Sequence, residues 1–435
     1  MTTWITAEAA AQRLGVKRGT LYAYVSRGVL VRRRAPDGRA SLFDAGEIEK
    51  LATRGRPRRP PGGTELVIES AVTEIEGGRL AYRGHEVTAL ARSHTFEDVA
   101  TLLWTGEFPP STAGPTAGPI AGPAAGTAGA AAGWRATPAA VAVGSAAQAA
   151  LPAQALPLER LQVIVPALAA ADPLRLHLDS PAVISAARAL VAGMVDCLPD
   201  AVPAPGGPGP AGRAGGDAQA GPAGDGIADR LWRKLCPRPP APGLLAALRA
   251  ALVLLADHEL AASTLAARVA ASVRADPYAV VATGLGAVGG PLHGGASLGT
   301  EAMLAAASTP ADAPRVVAGL IRLTGRVPGF GHFVYRSGDP RAVCLLGLIT
   351  RAAPQSPRLA IADAVLAEMR QRALPEPNID FAVALLKDVA GLISGAGEAI
   401  FAVARTAGWT AHALEEYARA TPLRPRAVYT GPPAP

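Results

Sequence analysis

Most of this 435-residue chain is expected to be mainly α-helical, and three observations predict it. Alanine and aliphatic residues dominate, while aromatic residues make up 4%, a balance that favours helix over the β-branched and aromatic pattern of strands. From Ile227 to Tyr417 apolar residues recur at helical spacing, broken chiefly by glycine-rich segments. The length allows two or three domains. No stretch of about 18 uncharged apolar residues is present, so no membrane span is expected. Residues Met1–Glu8 lack the basic and apolar regions of a signal peptide. Cys197, Cys236 and Cys344 are far apart and form no CxxC pair. They indicate neither a zinc site nor a disulfide scaffold, and the expectation is a reduced, cytoplasmic protein.

Residues 1–53 have a different pattern. Thr6 can cap a helix over Ala7–Leu14, with Glu8 in its first turn, and Gly15 breaks it. A second helix, about Arg18–Ser26, carries Leu21, Tyr22 and Val25 at helical spacing and ends at Gly28. Val29–Arg34 and Arg39–Phe43 read as strands around the Pro36-Asp37-Gly38 turn, and Asp44 caps a third helix through Leu51. That order is a small winged helix-turn-helix. Residues 1–60 hold thirteen Lys or Arg against five Asp or Glu, a net of +8, whereas the whole chain is +7. The basic character therefore belongs to this module, where a nucleic-acid partner is to be sought. Ile5-Thr-Ala-Glu-Ala-Ala10, Leu14-Gly-Val16 and Thr20-Leu-Tyr-Ala-Tyr-Val25 resemble the DNA-binding domains of the MerR and excisionase types. The resemblance implies a second helix in the major groove and a wing on phosphates. Arg18, Thr20, Tyr22, Arg27, Arg32 and Arg33 are then the candidate DNA contacts; the plainer reading is a module that only packs or dimerises.

Residues 54–65 form a basic Pro/Gly linker, read as a solvated tether. A second domain covers 66–435. In it, Thr95–Thr105 reads as an amphipathic helix stopped by Gly106. Residues 109–133 and 199–226 are Ala/Gly/Pro-rich and cannot bury enough apolar surface to order themselves; the degraded composition extends to about residue 150. The expectation for 109–133 and 199–226 is loose loop.

Five clusters carry the candidate chemistry. Val327-Pro-Gly-Phe-Gly-His332-Phe-Val-Tyr-Arg336-Ser-Gly-Asp-Pro-Arg341 joins an imidazole to guanidiniums that can grip carboxylates or phosphates. The others are Asp257-His258-Glu259, Gly289-Gly-Pro-Leu-His293-Gly-Gly295, Pro377-Asn-Ile-Asp380-Phe381, and Arg405 followed by Arg424. Each has a plain reading by itself. His258 can be a satisfied core histidine, Asp380 a helix cap, Arg405 an ion-pair partner, and the glycines close helix packing. The glycine order fits neither GxGxxG nor a phosphate-binding loop.

Taken together and in this order, these segments resemble the citrate synthase family, over roughly residues 66–108 and 227–431. The resemblance implies an all-α fold with a large domain and a smaller mobile one, approximately 280–380, closing over the substrates. It implies a homodimer and condensation of acetyl-CoA with oxaloacetate, followed by thioester hydrolysis. By residue, Asp380 matches the base, His293 the donor to the thioester oxygen, and His332 the group that polarises the oxaloacetate carbonyl. His258, His332, Arg341 and Arg405 match oxaloacetate binders, and Arg424 matches an arginine supplied in trans. Arg336, Gly289 and Gly290 match coenzyme A contacts, with Gly294 and Gly295 leaving room for the thioester arm. No metal or redox cofactor is implied. Leu255 departs from the pattern, standing where many members carry a further histidine. Propionyl-CoA, giving 2-methylcitrate, is an alternative acyl donor. A regulator that uses the domain to sense coenzyme A esters or oxaloacetate is the reading from another class.

Overall fold

Helices make up most of the ordered elements, in line with the composition. The computed structural model describes residues 4–14, 21, 24–25, 30–35, 41–48, 68–110, 134–201, 226–336, 338–419, 421–427 and 430–431. The chain divides into two units, Met1–Glu69 and Ser70–Pro435.

In the first unit, β1 (Trp4–Thr6) leads directly into α1 (Ala7–Leu14), followed by β2 (Arg32–Arg34) and β3 (Ser41–Asp44). The three strands form an antiparallel sheet in the order β1-β3-β2. Ala7, Ala10, Ala11, Leu21, Leu30, Phe43 and Ile48 form its core. Thr6 Oγ1 accepts from Ala9 N–H at 3.3 Å, so α1 starts where the cap predicts. Asp44 likewise accepts from Gly46 N–H at 2.7 Å. Strand β1 was not expected: a three-residue strand is too short to show alternation, and only its pairing with β3 defines it. Arg18, Thr20, Tyr22 and Arg27 lie outside the described residues, as do the Pro36–Gly38 turn and the 54–65 linker.

The second unit opens with β4 (Thr73–Glu76), β5 (Arg79–Tyr82) and β6 (His85–Glu86), an antiparallel sheet in sequence order. Gly77 and Gly78 take φ of +57° and +78° at its first turn, the left-handed region glycine tolerates. α2 (Val87–Ser93) and α3 (Phe96–Thr105) follow; a Thr95/Asp98 capping box starts α3 and a left-handed Gly106 ends it. α4 (Pro138–Ala149) is an ordered helix within the stretch of degraded composition, beyond the 109–133 segment. Thr137 caps it and Pro138 stands at its first turn, signals that outweigh the monotonous composition. Next come α5 (Pro157–Ala170), α6 (Ser180–Asp196), α7 (Ile227–Leu235), α8 (Pro242–Leu255), α9 (Ala262–Ser272) and α10 (Pro277–Val288). α11 (Ala296–Ala305), α12 (Ala313–Thr324), α13 (Pro340–Ala352), α14 (Pro357–Gln371), α15 (Ile379–Ala390) and α16 (Ala396–Ala418) complete it. The first N–H of α7 is satisfied by the buried Glu97 carboxylate of α3, at 2.7 Å, although residues 202–225 intervene in sequence.

Helix α16 is the organising element. It is 23 residues long, is buried on nearly every face, and packs against α3, α6, α8, α9 and α10. Gly284 of α10 allows a close approach: a Cβ there would stand 2.6 Å from the Trp409 ring. Among the described residues no helix is long and apolar enough to cross a membrane. All three cysteines are free and buried.

Candidate active site

The segment after α8, the turn before α11, the loop before α13, the start of α15 and helix α16 carry the predicted side chains. The loop preceding α13 is zipped to the loop preceding α15. Gly331 N–H donates to Glu376 C=O at 2.8 Å, Asn378 N–H to Gly329 C=O at 2.9 Å, and Asn378 Nδ2 to Gly331 C=O at 2.9 Å. Gly329 and Gly331 take φ of +80° and +77°, and a Cβ on Gly329 would stand 2.7 Å from Thr300. The zipper places the His332 loop beside Asp380. Asn378, not Asp380, caps α15, accepting from Asp380 N–H at 3.0 Å. The Asp380 carboxylate is left to accept from Ser297 Oγ at 3.0 Å. Burial pushes its pKa up to about 6, against the Ser297 hydrogen bond and the charge of Arg341.

His332 Nδ1 accepts from Val334 N–H at 3.0 Å and from Tyr335 N–H at 3.4 Å. Both donors fix the tautomer: the ring is neutral and its proton sits on Nε2. Burial, then Arg341, lowers its pKa to about 4. His258 packs edge-on against it, ring centroids 5.2 Å apart, and shares a 3.0 Å hydrogen bond between Nε2 and the Tyr335 hydroxyl. Burial, Arg341 and Arg405 hold His258 well below its ordinary range.

His293 shares a 2.7 Å hydrogen bond from Nε2 to Ser263 Oγ, and Trp409 Nε1 donates to that same oxygen at 3.3 Å. With the indole N–H filling one lone pair, the serine hydroxyl is free to donate to Nε2. The imidazole proton is then on Nδ1, the nitrogen left for a ligand. Burial lowers His293 to about 4, so it too is neutral. The turn before it explains its glycines. His293 N–H and Gly295 N–H both donate to Gly290 C=O, and a Cβ on Gly294 or Gly295 would press on Val288 or Gly290 carbonyl oxygens at 2.8 and 2.9 Å. These glycines serve the turn's own backbone, a reason the sequence does not display.

Two arginines complete the cluster. Arg341 is held bidentate by Asp339, at 3.0 and 2.8 Å; burial opposes its charge, but the Asp339 pairing outweighs it and raises the pKa. Asp339 also caps α13 and accepts from Ile379 N–H at 3.0 Å, which ties Arg341 to the start of α15. Arg405 is 1% exposed. Its Nε donates to Leu255 C=O at 2.8 Å, its guanidinium lies 4.4 Å over the Phe401 ring, and its Nη1 has no hydrogen-bond partner among the described residues. Burial lowers Arg405 to about 10, opposed by Asp257. A buried cation with a free donor is costly unless an anion completes it. Arg336 and Arg424 are exposed, and among the described residues no hydrogen bond or ion pair joins them to the cluster. Among the described residues no cluster of three or more His, Cys, Asp or Glu has the geometry to hold a metal.

Sequence reading missed Ser263, Ser297, Tyr335 and Trp409. Ser263 lies seven residues beyond Ala256 at the start of α9, a position that marks it as near the His258 segment, but no local signal pairs it with His293.

Fold and site define a helical protein that gathers neutral imidazoles, a raised carboxyl and buried arginines into one cluster. The family model described as "Citrate synthase, C-terminal domain" matches residues 63–426, and the chain belongs to the citrate synthase family. It is 38% identical to Citrate synthase 2 of Bacillus subtilis over 214 residues, 48% of this chain and 56% of that protein, so the chain spans little more than half of that relative. It is 29% identical to 2-methylcitrate synthase of Mycobacterium tuberculosis over 382 residues, 86% of this chain and 91% of that protein. Among solved structures, citrate synthase from Pyrobaculum aerophilum is 25% identical with a TM-score of 0.65, covering 92% of this chain and 95% of that one. The ternary complex of the Thermoplasma acidophilum enzyme with carboxymethyl coenzyme A and oxaloacetate, 23% identical over 85% of this chain and 95% of that chain, has the same fold at TM-score 0.65.

Proposed function

We propose that this chain condenses acetyl-CoA with oxaloacetate and hydrolyses the product thioester to citrate and coenzyme A. The observation that carries the reading is the unpartnered Nη1 of buried Arg405, set among His258, His293, Arg341 and Asp380. A small dianion answers that charge. The Asp380 carboxylate takes a methyl proton while His293 Nδ1–H donates to the thioester oxygen, giving the enol. The enol carbon then bonds to the ketone carbon of oxaloacetate. His332 Nε2–H stabilises the forming alkoxide and delivers the proton. Water then adds to the thioester carbonyl and the C–S bond breaks; coenzyme A leaves as the thiol with the proton Asp380 took, a water proton restores His332, and the new carboxyl gives its proton to solvent. Condensation and thioester hydrolysis transfer no electrons to an outside acceptor, so the steps call for no redox cofactor. Arg336 serves the coenzyme, and a homodimer lets the partner subunit's Arg424 reach the second carboxylate; the exposed positions of both support this. The test is thiol release from acetyl-CoA with oxaloacetate. No release by the wild-type protein, or equal release by Asp380→Ala, would sink the reading.

The similarity to a 2-methylcitrate synthase over most of its length supports propionyl-CoA as a second acyl donor. One methylene changes discrimination by only about 1–3 kcal/mol, so both esters belong in the same assay. For the amino-terminal unit we propose contact with duplex DNA. Arg32, Arg33 and Arg34 are all exposed on β2, an edge strand, with Arg33 lying 5.7 Å over the Trp4 ring. Binding of a labelled duplex should weaken steeply with salt and weaken further when the three arginines become alanine. Unchanged binding in that variant would remove this reading.

A further inference from the structure

Beside Arg405 and the segment that carries His258 lies a buried ionic chain that none of the proposed steps uses. One face of α16 grips residues 255–257 at three successive points. Arg405 Nε donates to Leu255 C=O at 2.8 Å, Gly408 N–H to Ala256 C=O at 2.9 Å, and His412 Nε2 meets Asp257 Oδ2 at 3.2 Å. Residues 405, 408 and 412 share one helical face by spacing. Gly408 is obligatory for that approach: a Cβ would stand 2.1 Å from Asp257 Oδ1 and 2.6 Å from Ala256 O.

The chain continues outward. Arg268 Nη1 lies 2.6 Å from His412 Nδ1 and donates to Glu415 Oε2 at 2.6 Å, while its Nε donates to Glu416 Oε1 at 2.8 Å. A guanidinium only donates, so His412 Nδ1 accepts and its proton is on Nε2, directed at Asp257. Asp257 Oδ2 also accepts from Thr73 Oγ1 at 2.5 Å and from Glu259 N–H at 3.2 Å. Glu415 Oε1 accepts from Ala71 N–H at 2.8 Å, so the same network pins both ends of the 71–73 segment. Tyr82 O–H accepts from Asp257 N–H at 3.0 Å. Arg268, Asp257, His412 and Glu416 are all almost completely buried.

The segment so clamped is the one that presents His258. It has no regular structure to hold it: α8 ends at Leu255, and Glu259 takes φ of +51°, a strained value for a non-glycine residue. We infer that Asp257, His412 and Arg268 are positioning residues that set His258 and Arg405 at one fixed separation for a dicarboxylate. The inference rests on oxaloacetate being the ligand of this pocket. None of the three touches substrate in this scheme; each acts through the backbone of 255–258 and through α16.

The experiment titrates the full chain with oxaloacetate by calorimetry and measures both KM values by thiol release. His412→Leu removes the donor to Asp257 and the acceptor for Arg268. It should weaken oxaloacetate binding by about tenfold or more and raise the oxaloacetate KM in step, leaving the acyl-CoA KM within about twofold. His412→Gln, which restores a donor near Nε2, should recover most of the loss. Thr73→Val removes one Asp257 contact from the edge of the network without opening the core, and should weaken binding by about threefold. Equal loss for both substrates in His412→Leu, with no recovery in His412→Gln, would mean general damage and overturn the inference. So would wild-type binding in His412→Leu and Thr73→Val. A wild-type chain that neither binds nor turns over oxaloacetate would instead remove the proposed function, and this inference with it.

Discussion

Asp380 shows how a side chain of ordinary type is given a task by its surroundings. An exposed aspartate is too weak a base to meet a thioester methyl at neutral pH, and burial raises it to about 6. A base must be ionised to act, so kcat should fall as pH drops through about 6 and level off above it. Ser297 donates to the ionised form and lowers the pKa. Ser297→Ala should therefore move the acidic limb upward by about one unit, since a hydrogen bond is worth about 1 kcal/mol. An unmoved limb in the pH profile of kcat would show that Ser297 does not set the base. Asp380→Asn should lower kcat by about a hundredfold or more at any pH. At this scale the sequence shows the charged groups and hides their tuners. His332, Arg405 and Asp380 stand out in short motifs, whereas Ser297 lies 83 residues from Asp380 and Ser263 lies 30 from His293. A serine gains its role only when the fold brings it there.

Element boundaries were legible wherever capping chemistry marks them. α1 starts after Thr6 and α3 ends at Gly106, both where cap and breaker predict. Short strands and small-residue helices were not. The β4–β6 sheet has strands of two to four residues, too few for alternation to register, and α4 is composed of the same residues as the loops around it. The packing of α10 on α16 was equally hidden, because Gly284 reads as one glycine among many. Gly284→Ala should cost about 1–3 kcal/mol, measured by chemical denaturation, because the new Cβ meets the Trp409 ring at 2.6 Å. The ring's N–H orients Ser263 and through it His293. The variant should therefore also lose turnover at a temperature where it stays folded. A stable, fully active Gly284→Ala protein would show that α10 yields without disturbing the site.

For the whole molecule, the second unit carries the family match while the first carries the basic charge. Its cost of assembly lies partly in carboxyls the reaction does not use. Glu398, in the first turn of α16, is 3% exposed and rises to about 7 through burial and the nearby charges of Glu301 and Glu159. Glu301 of α11 is itself raised by burial, although Gly395 and Gly397 N–H donate to it at 3.1 and 3.3 Å. Folding thus holds a proton on Glu398 that the unfolded chain releases near 4.5. Where the folded state binds more protons, stability falls as pH rises. The loss should accumulate between pH 4.5 and 7 and be complete above 7, where the ionised carboxylate faces Glu301 across the α11–α16 contact. Glu398→Gln keeps the shape and removes the charge. It should flatten that part of the stability curve and stabilise the chain at pH 8 by about 1–2 kcal/mol, after allowing for solvent screening. Near pH 4.5 it should have little effect. Denaturant midpoints at the two pH values decide the matter, and an equal displacement at both would place the cost of Glu398 in packing instead of charge.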